Sequence, residues 1–205
     1  NRGIGMSFGF NREESFEDYN SAEQLILMLV DTVSRGGNLL LDVGPTYDGR
    51  IPVIMEERLA EIGAWLDING EAIYGSRRWV KDAQWSPGTM PDFSKEDHHS
   101  GDALRQSTIL PKPGNASREI LFTCNGHTVY AMSPGWPEGT SLVVRDVVSA
   151  DNTEISLLGV GKHLSWQQVG NTITIDLTEI GINDLPCDHV YTFKLTNITP
   201  AGGEQ

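Results

Sequence analysis

The sequence predicts an α/β plus all-β fold class, in which the end of a (β/α)8-type barrel is followed by an antiparallel β-sandwich. Residues 21–70 alternate a helical pattern, a short apolar strand and a second helical pattern. Beyond residue 119, short segments rich in Val, Ile and Thr are separated by turn residues. We therefore predict that residues 1–78 form the last βα units of a barrel, 79–118 a linker or elaborated loop, and 119–205 a carboxyl-terminal sandwich.

The first 18 residues, NRGIGMSFGFNREESFED, contain glycines and phenylalanines without a helical or strand period, which indicates a loop. Ser21 followed by Gln24 is the pattern of a helix capping box. Apolar residues then recur on one helical face until Gly36-Gly37, where the helix should end. This segment predicts an amphipathic helix.

The apolar run 39–43 that follows is short and uniform, which favours a strand of a parallel sheet buried on both faces. Gly44-Pro45 ends it, and Pro52 opens a second helix that continues to Asn69-Gly70. In an α/β barrel the chemistry lies beyond the carboxyl ends of the strands. We therefore expect Asp42 and the following loop, PTYDGRIP, on or near the active face.

The segment 86–118 is rich in Pro, Gly, Ser and Asp, and it is too long for a simple connection between packed elements. After it, turn sequences such as NG, WPEG and SADN separate the apolar segments. The sequence predicts strands at 119–124, 127–133, 141–147, 154–158, 172–177 and 189–196. Their spacing is typical of an antiparallel sandwich.

Charge and composition limit the partners of the protein. The formal net charge of −13 would repel phosphate backbones and anionic lipid, so we expect neither nucleic acid nor a membrane as a partner. No stretch approaches the ~20 apolar residues of a membrane span.

The cysteines and histidines give no metal site. Cys124 and Cys187 lack metal-ligand spacing, and the sequence leaves open whether they form a disulfide. His98-His99 has no third ligand at defined spacing. We assign neither a metal nor a cofactor.

Few residues are candidates for a site. Asp42 at a strand end is either a functional carboxylate or, as we favour, a hydrogen-bonded group that holds a turn. Phe8 and Phe10 have no regular element to pack into, so they either plug the barrel mouth or form the wall of a sugar pocket, with equal weight. Trp136 and Trp166 are interpreted as sandwich core. These residues alone do not identify a reaction.

Four segments in order, RGIGMSFGFNREE, LVDTVSRGGNLLLDVGP, DGRIP and ERLAEIGAWLDINGEAIYGS, resemble the carboxyl-terminal part of the family 29 glycoside hydrolases, the α-L-fucosidases. The resemblance is collinear over residues 2–78 and specific there, whereas beyond residue 79 only the sandwich pattern agrees. The sequence departs from the usual family pattern at Asp42, where Asn is common, and at Phe10, where Tyr is usual.

The resemblance implies a retaining exo-glycosidase that hydrolyses terminal α-L-fucose from fucosylated oligosaccharides or glycoconjugates through a covalent glycosyl-enzyme. In this family the nucleophile and the acid/base would both lie upstream of residue 1, so no catalytic residue is assigned and the upstream part of the same barrel is an expected partner. Phe8 of the SFG motif is the implied substrate-binding residue, packing against the C5 methyl group of fucose.

Two other interpretations stay open at this point. The sandwich could be a non-catalytic carbohydrate-binding module, or the chain could be an inactive fragment. The sequence leaves open the fucosyl linkage, the oligomeric state, with a homo-oligomer among the options, and the compartment, for which a periplasmic, secreted or lysosome-like location is compatible with the family.

Overall fold

The computed structural model describes residues 1–91, 105 and 107–202, and a five-stranded antiparallel sheet lies at its centre. Two helices pack on one face of this sheet and a three-stranded antiparallel sheet on the other. The helices are α1 (Ala22–Ser34) and α2 (Val53–Asn69). The strands are β1 (Arg2–Gly3), β2 (Leu41–Asp42), β3 (Arg77–Trp85), β4 (Arg118–Asn125), β5 (Thr128–Pro134), β6 (Ser141–Arg145), β7 (Val147–Ser149), β8 (Ile155–Leu157), β9 (Trp166–Val169), β10 (Thr172–Asp176), β11 (Val190–Thr196) and β12 (Ile198–Pro200).

Helix α1 begins and ends where the sequence predicts. The Gln24 amide donates to Ser21 Oγ at 3.2 Å and the Ser21 amide donates to Gln24 Oε1 at 2.8 Å, which completes the capping box. Beyond the carboxyl end, Gly36 has a φ of 83° and its amide donates to the Val33 carbonyl at 2.9 Å. That left-handed conformation favours glycine and ends the helix.

Helix α1 is buried on two sides, whereas the sequence predicts one apolar face. Leu25 and Met28 pack against Met55 of α2. Ile26 and Leu27 pack on the other side against the five-stranded sheet. Because the helix lies between two layers, residues outside the predicted stripe, such as Leu27 and Met28, are buried as well.

The parallel pair β1–β2 is shorter and more exposed than the buried strand predicted for residues 39–43. Arg2 pairs with Leu41 and Gly3 with Asp42, and no other described strand joins this pair. Leu40 is 67% exposed. The prediction that the strand is buried on both faces is therefore wrong for this chain, because such burial needs a strand on each side and a layer on each face.

The antiparallel sandwich predicted after residue 119 is confirmed. The strand order is β3-β4-β5-β11-β8 in the five-stranded sheet and β6-β10-β9 in the three-stranded sheet, with β7 and β12 as a separate pair. Alternate residues of β4 face opposite layers: Ile120 and Phe122 face the three-stranded sheet, while Leu121 faces the helices. The five-stranded sheet is thus buried on both faces.

Strand β3 changes the organisation expected for the middle of the chain. It covers residues 77–85 and pairs antiparallel with β4, so the segment 79–118, predicted as a linker or elaborated loop, begins with a strand of the sandwich. The charged pattern RRWVKDAQW hides the strand, because only Trp79 and Gln84 are buried. The division into 1–78, 79–118 and 119–205 as domains remains a prediction.

The helices and the sandwich are joined by apolar and polar contacts. Trp65 of α2 is buried and its Nε1 donates to the Val190 carbonyl of β11 at 2.8 Å. Arg118 of β4 is buried beside Asp31 of α1 and forms an ion pair with it. Burial lowers the pKa of Arg118, while the charge of Asp31 opposes that shift. This interface unites the two segments in one folded body.

Both cysteines are free thiols. Cys124 and Cys187 are partly buried, and burial raises the pKa of each thiol. The disulfide left open by the sequence is therefore not formed in this structure. Among the described residues, neither helix has the length and apolar character required to cross a membrane.

Candidate functional site

Two loops that follow the parallel strands lie side by side. The Phe loop (residues 5–14) follows β1, and the Gly-Pro loop (residues 44–51) follows β2. A Cβ atom at Gly44 would lie 2.4 Å from the amide nitrogen of Phe10 and 2.6 Å from the carbonyl carbon of Gly9. Only glycine allows this close approach of the two loop backbones. Because β1 and β2 are parallel, both loops lie at the carboxyl edge of the pair.

Glu14 fixes the conformation of the Phe loop from within. Its Oε1 accepts a hydrogen bond from the Ser7 amide at 2.6 Å, and the Ser7 hydroxyl accepts one from Asn11 Nδ2 at 3.1 Å. A Cβ atom at Gly5 would lie 2.9 Å from Glu14 Oε2, so the carboxylate occupies the space that a side chain there would need. Burial and the nearby carboxylate of Glu14 raise the pKa of Tyr19. Sequence reasoning did not single out Glu14.

The two phenylalanines of the Phe loop are presented to solvent in this structure. Phe8 is 54% exposed and Phe10 is 37% exposed. Their rings therefore do not fill an apolar core of the described chain, and both remain accessible for contact with a ligand or with further polypeptide. The alternatives of a barrel plug and a pocket wall both require an apolar partner for these rings.

The remaining polar candidates differ in where the structure places them. Asp42 is half-buried and pairs through its backbone with Gly3, but within the described part its carboxylate accepts no hydrogen bond that would hold the turn. Asp48-Gly49 forms a turn, with Gly49 at a φ of 80°. His98-His99 lies outside the described residues. Among the residues that the structure describes, no group of three or more His, Cys, Asp and Glu side chains is arranged to hold a metal ion.

Arg12 and Tyr47 connect the two loops, a contact that sequence reasoning did not find. The Arg12 guanidinium lies over the Tyr47 ring, 5.6 Å from its centroid. Tyr47 itself is 88% exposed at the tip of the Gly-Pro loop. The two residues are far apart in the sequence and have no motif in common, so only the structure brings them together.

A concave surface lies on the sandwich. It is a cleft of about 660 Å³ between the edge of the five-stranded sheet and the segment after residue 133, and its lining includes Gln84, Glu119, Trp136 and Arg145. The polar groups there bond to one another: Arg145 donates to Glu119 at 2.6 Å, and Gln84 Nε2 donates to the Val143 carbonyl at 2.8 Å. These three side chains are therefore engaged within the cleft wall.

The tryptophans of the sandwich belong to its core, as the sequence predicts. Trp136 packs edge-on against Tyr191, with ring centroids 5.1 Å apart, and also contacts Phe193. Trp166 packs against the same apolar cluster. Both rings are partly buried, and Trp136 also lines the cleft on the sandwich.

Comparison with known proteins places both halves of the chain in one family. A family model for α-L-fucosidase matches residues 1–71, and a model for the α-L-fucosidase carboxyl-terminal domain matches residues 114–196. The chain belongs to the α-L-fucosidase family. The family resemblance recognised in the sequence is thereby confirmed, and it extends through the sandwich.

Individual members of the α-L-fucosidase family align with nearly the whole chain. Plasma α-L-fucosidase of Rattus norvegicus is 35% identical over 198 residues, covering 95% of this chain and 37% of the relative. The structure of Thermotoga maritima α-fucosidase with a mechanism-based inhibitor is similar with a TM-score of 0.71 and 32% identity, covering 95% and 38% of the two chains. The same bacterial enzyme in complex with fucose gives a TM-score of 0.70, with 95% and 39% covered. The chain thus spans less than two fifths of the length of these relatives.

Proposed function

We propose that this chain is the carboxyl-terminal part of a retaining α-L-fucosidase, an exo-glycosidase that hydrolyses terminal α-L-fucose from fucosylated glycans. The observation that carries the proposal is that one chain matches both family models in order, while it spans only 37% of its rat relative. Residues 1–78 would supply the last βα units of a (β/α)8 barrel, and the sandwich would be its accessory domain.

The open parallel pair supports the barrel part of this proposal. Strands of a barrel have a neighbour on each side, whereas β1 and β2 pair only with one another among the described residues. Large apolar side chains are exposed around this pair and its loops. They are Met6, Phe8, Phe10, Leu40, Ile51 and Val53. Further barrel strands of the same protein would cover the open edges of the pair and the side chains beside them, while the Phe loop would face the pocket.

The chemistry would be shared between this chain and further polypeptide. A retaining glycosidase needs two carboxyl groups about 5–5.5 Å apart, one as the nucleophile and one as the acid/base. We assign neither to a residue of this chain, and we place both in the upstream part of the barrel. The loops at the carboxyl edge of β1 and β2 would then form part of the pocket wall, since barrel active sites lie on that side.

Phe8 is the proposed substrate-binding residue of the chain. Fucose is a 6-deoxy sugar, so it presents a methyl group where related hexoses carry a hydroxymethyl group. The exposed ring of Phe8 on the Phe loop offers an apolar wall for that methyl group. Glu14 would hold the loop that carries it, through the bond to the Ser7 amide.

Hydrolysis by the full-length enzyme tests the proposed function. We expect α-L-fucosyl fluoride and an aryl α-L-fucoside to be hydrolysed, with α-L-fucose as the first product seen by proton NMR before mutarotation. Initial release of β-L-fucose would contradict the retaining mechanism. Absence of fucose release from both substrates would contradict the glycosidase itself.

Replacement of Phe8 by alanine tests its assigned role. The full-length enzyme should prefer an aryl α-L-fucoside to the aryl α-L-galactoside, and Phe8→Ala should raise the Michaelis constant for the fucoside and reduce that preference roughly tenfold or more. Phe16→Ala is the matched control, because Phe16 is also exposed but lies outside the Phe loop. An unchanged preference in Phe8→Ala would reject the role.

The alternative of a non-catalytic carbohydrate-binding module gains no support from the sandwich. Trp136 and Trp166, which would be its aromatic platform, pack partly buried against the core, and no described ring of the pair is fully exposed. Any test of the sandwich as a separate module must also include residues 77–85, since β3 is an edge strand of its sheet.

A further inference from the structure

The Gly-Pro loop presents Tyr47 on a fixed support. The Thr46 amide donates to the Arg50 carbonyl at 2.8 Å, and the Gly49 amide donates to the Thr46 carbonyl at 2.9 Å. An ion pair between Asp48 and Arg50, with 3.2 Å between the charged atoms, braces the same turn. An aromatic residue held at the tip of such a turn and 88% exposed gains little from packing within the described chain. Its presence there favours contact with a partner molecule.

Arg12 supplies the polar part of the same surface. Its guanidinium lies over the Tyr47 ring in a cation–π contact and leaves the other face of the ring open. Arg12 is exposed, so the planar guanidinium retains donors for other groups. A fixed aromatic ring beside several hydrogen-bond donors is the combination that apolar sugar faces and sugar hydroxyl groups require.

The position of this pair identifies the part of the substrate that it would contact. Gly44 holds the Gly-Pro loop directly against Gly9 and Phe10, so Tyr47 and Phe8 lie on neighbouring loops at one edge of the parallel pair. An exo-glycosidase holds the terminal sugar in its pocket and leaves the rest of the glycan at the mouth. A residue at an exposed loop tip next to the proposed pocket wall would therefore lie where the second sugar emerges.

We propose that Tyr47 and Arg12 form a platform for the leaving group, the sugar to which fucose is attached. The inference rests on the proposed function, and it deepens that function by naming residues that set the preference among glycans. The Tyr47 ring would stack on the apolar face of the second sugar, and the Arg12 guanidinium would donate to its hydroxyl groups.

Substrates with and without a second sugar test this platform in the full-length enzyme. For fucosyl-galactose and fucosyl-N-acetylglucosamine disaccharides we expect Tyr47→Ala to lower kcat/KM about tenfold, the scale of one lost aromatic contact. α-L-Fucosyl fluoride has no second sugar, so its kcat/KM should stay unchanged. Tyr47→Phe, which keeps the ring, should stay near the parent enzyme on all of these substrates.

Tyr74→Ala is the matched control, since Tyr74 is 66% exposed and follows α2 in the chain, in neither of the two loops. The platform is overturned if Tyr47→Ala lowers kcat/KM for the fluoride and the disaccharides to the same extent, or changes neither. A parent enzyme that leaves the fluoride intact overturns the proposed function together with the platform. These outcomes separate the two proposals.

Discussion

The two sides of the segment 1–78 differ in what covers them. On the helix side, α1 and α2 pack against the five-stranded sheet, and Trp65, Asp31 and Glu71 all bond to sandwich residues. On the strand side, the short parallel pair has Leu40 exposed at 67% and carries two loops with exposed aromatic rings. The sandwich of the same chain therefore covers the helix side of residues 1–78. The uncovered strand side indicates where the rest of a barrel would bind.

The contrast also concerns the kind of contact. The helix side combines close apolar packing with polar groups that are paired across the interface, as in an obligate contact. The strand side exposes large apolar side chains and, among the described residues, strand edges of β1 and β2 that have no further strand beside them. A sandwich that only bound glycans would not need so many bonds to the helices. Its position instead suits a support that holds helices α1 and α2 in place.

The largest effect that we expect within this comparison is at Trp65. Trp65→Ala should lower the free energy of unfolding by about 3–5 kcal/mol, because it removes a buried ring from the interface between α2 and β11. Trp65→Phe keeps most of the volume but loses the bond to the Val190 carbonyl, so it should cost about 1–3 kcal/mol. Urea unfolding measures both. Equal, small losses would show that the helices do not depend on the sandwich.

A smaller effect is expected at Glu71, which accepts hydrogen bonds from Tyr130 at 2.8 Å and from Lys194 at 2.5 Å. Burial alone would raise the pKa of Glu71, but the bonds from Lys194 and Tyr130 and the charge of Lys194 together lower it below 4.5. A lowered pKa in the folded state stabilises the protein above pH 4.5, and this stabilisation is lost as the pH falls through the folded-state pKa.

Glu71→Gln should therefore be less stable than the parent protein near neutral pH, by at most about 1 kcal/mol because Glu71 is half exposed. The difference should shrink as the pH falls below 4.5. Urea unfolding at several pH values measures it. Lys194→Met should remove much of the same pH-dependent difference, whereas a difference that grows toward low pH would contradict the ion pair.

Much of the fold could be predicted from the sequence because the local signals were strong. The Ser21 and Gln24 cap, the Pro52 start and the strands after residue 119 all have turn or capping chemistry beside an apolar period. Strand β3 was missed because its two buried residues, Trp79 and Gln84, are separated by a register shift in the pairing with β4 and so show no period-2 alternation. The prediction that strand 39–43 is buried on both faces was wrong, because an apolar run shows a preference for burial but does not show which elements would cover it.

The candidate site was less predictable than the fold. Phe8 could be named only through the family resemblance, since a phenylalanine in a glycine-rich loop has no periodic context. Glu14 could have been suspected as an acidic residue close to three glycines, but its bond to the Ser7 amide is visible only in the structure. The contact between Arg12 and Tyr47 depends on two loops that meet at Gly44, and no local sequence signal reports such a meeting.

Hydrogen exchange of the full-length enzyme over residues 39–43 tests the central claim most directly. In a parallel pair the backbone groups alternate in direction, so the bond from the Arg2 amide to the Leu40 carbonyl implies that the Leu41 and Val43 amides point away from β1. A further barrel strand would pair with them. We expect these amides to exchange as slowly as those of β4 and β5, and fast exchange would show that the edge stays open and that no barrel closes there.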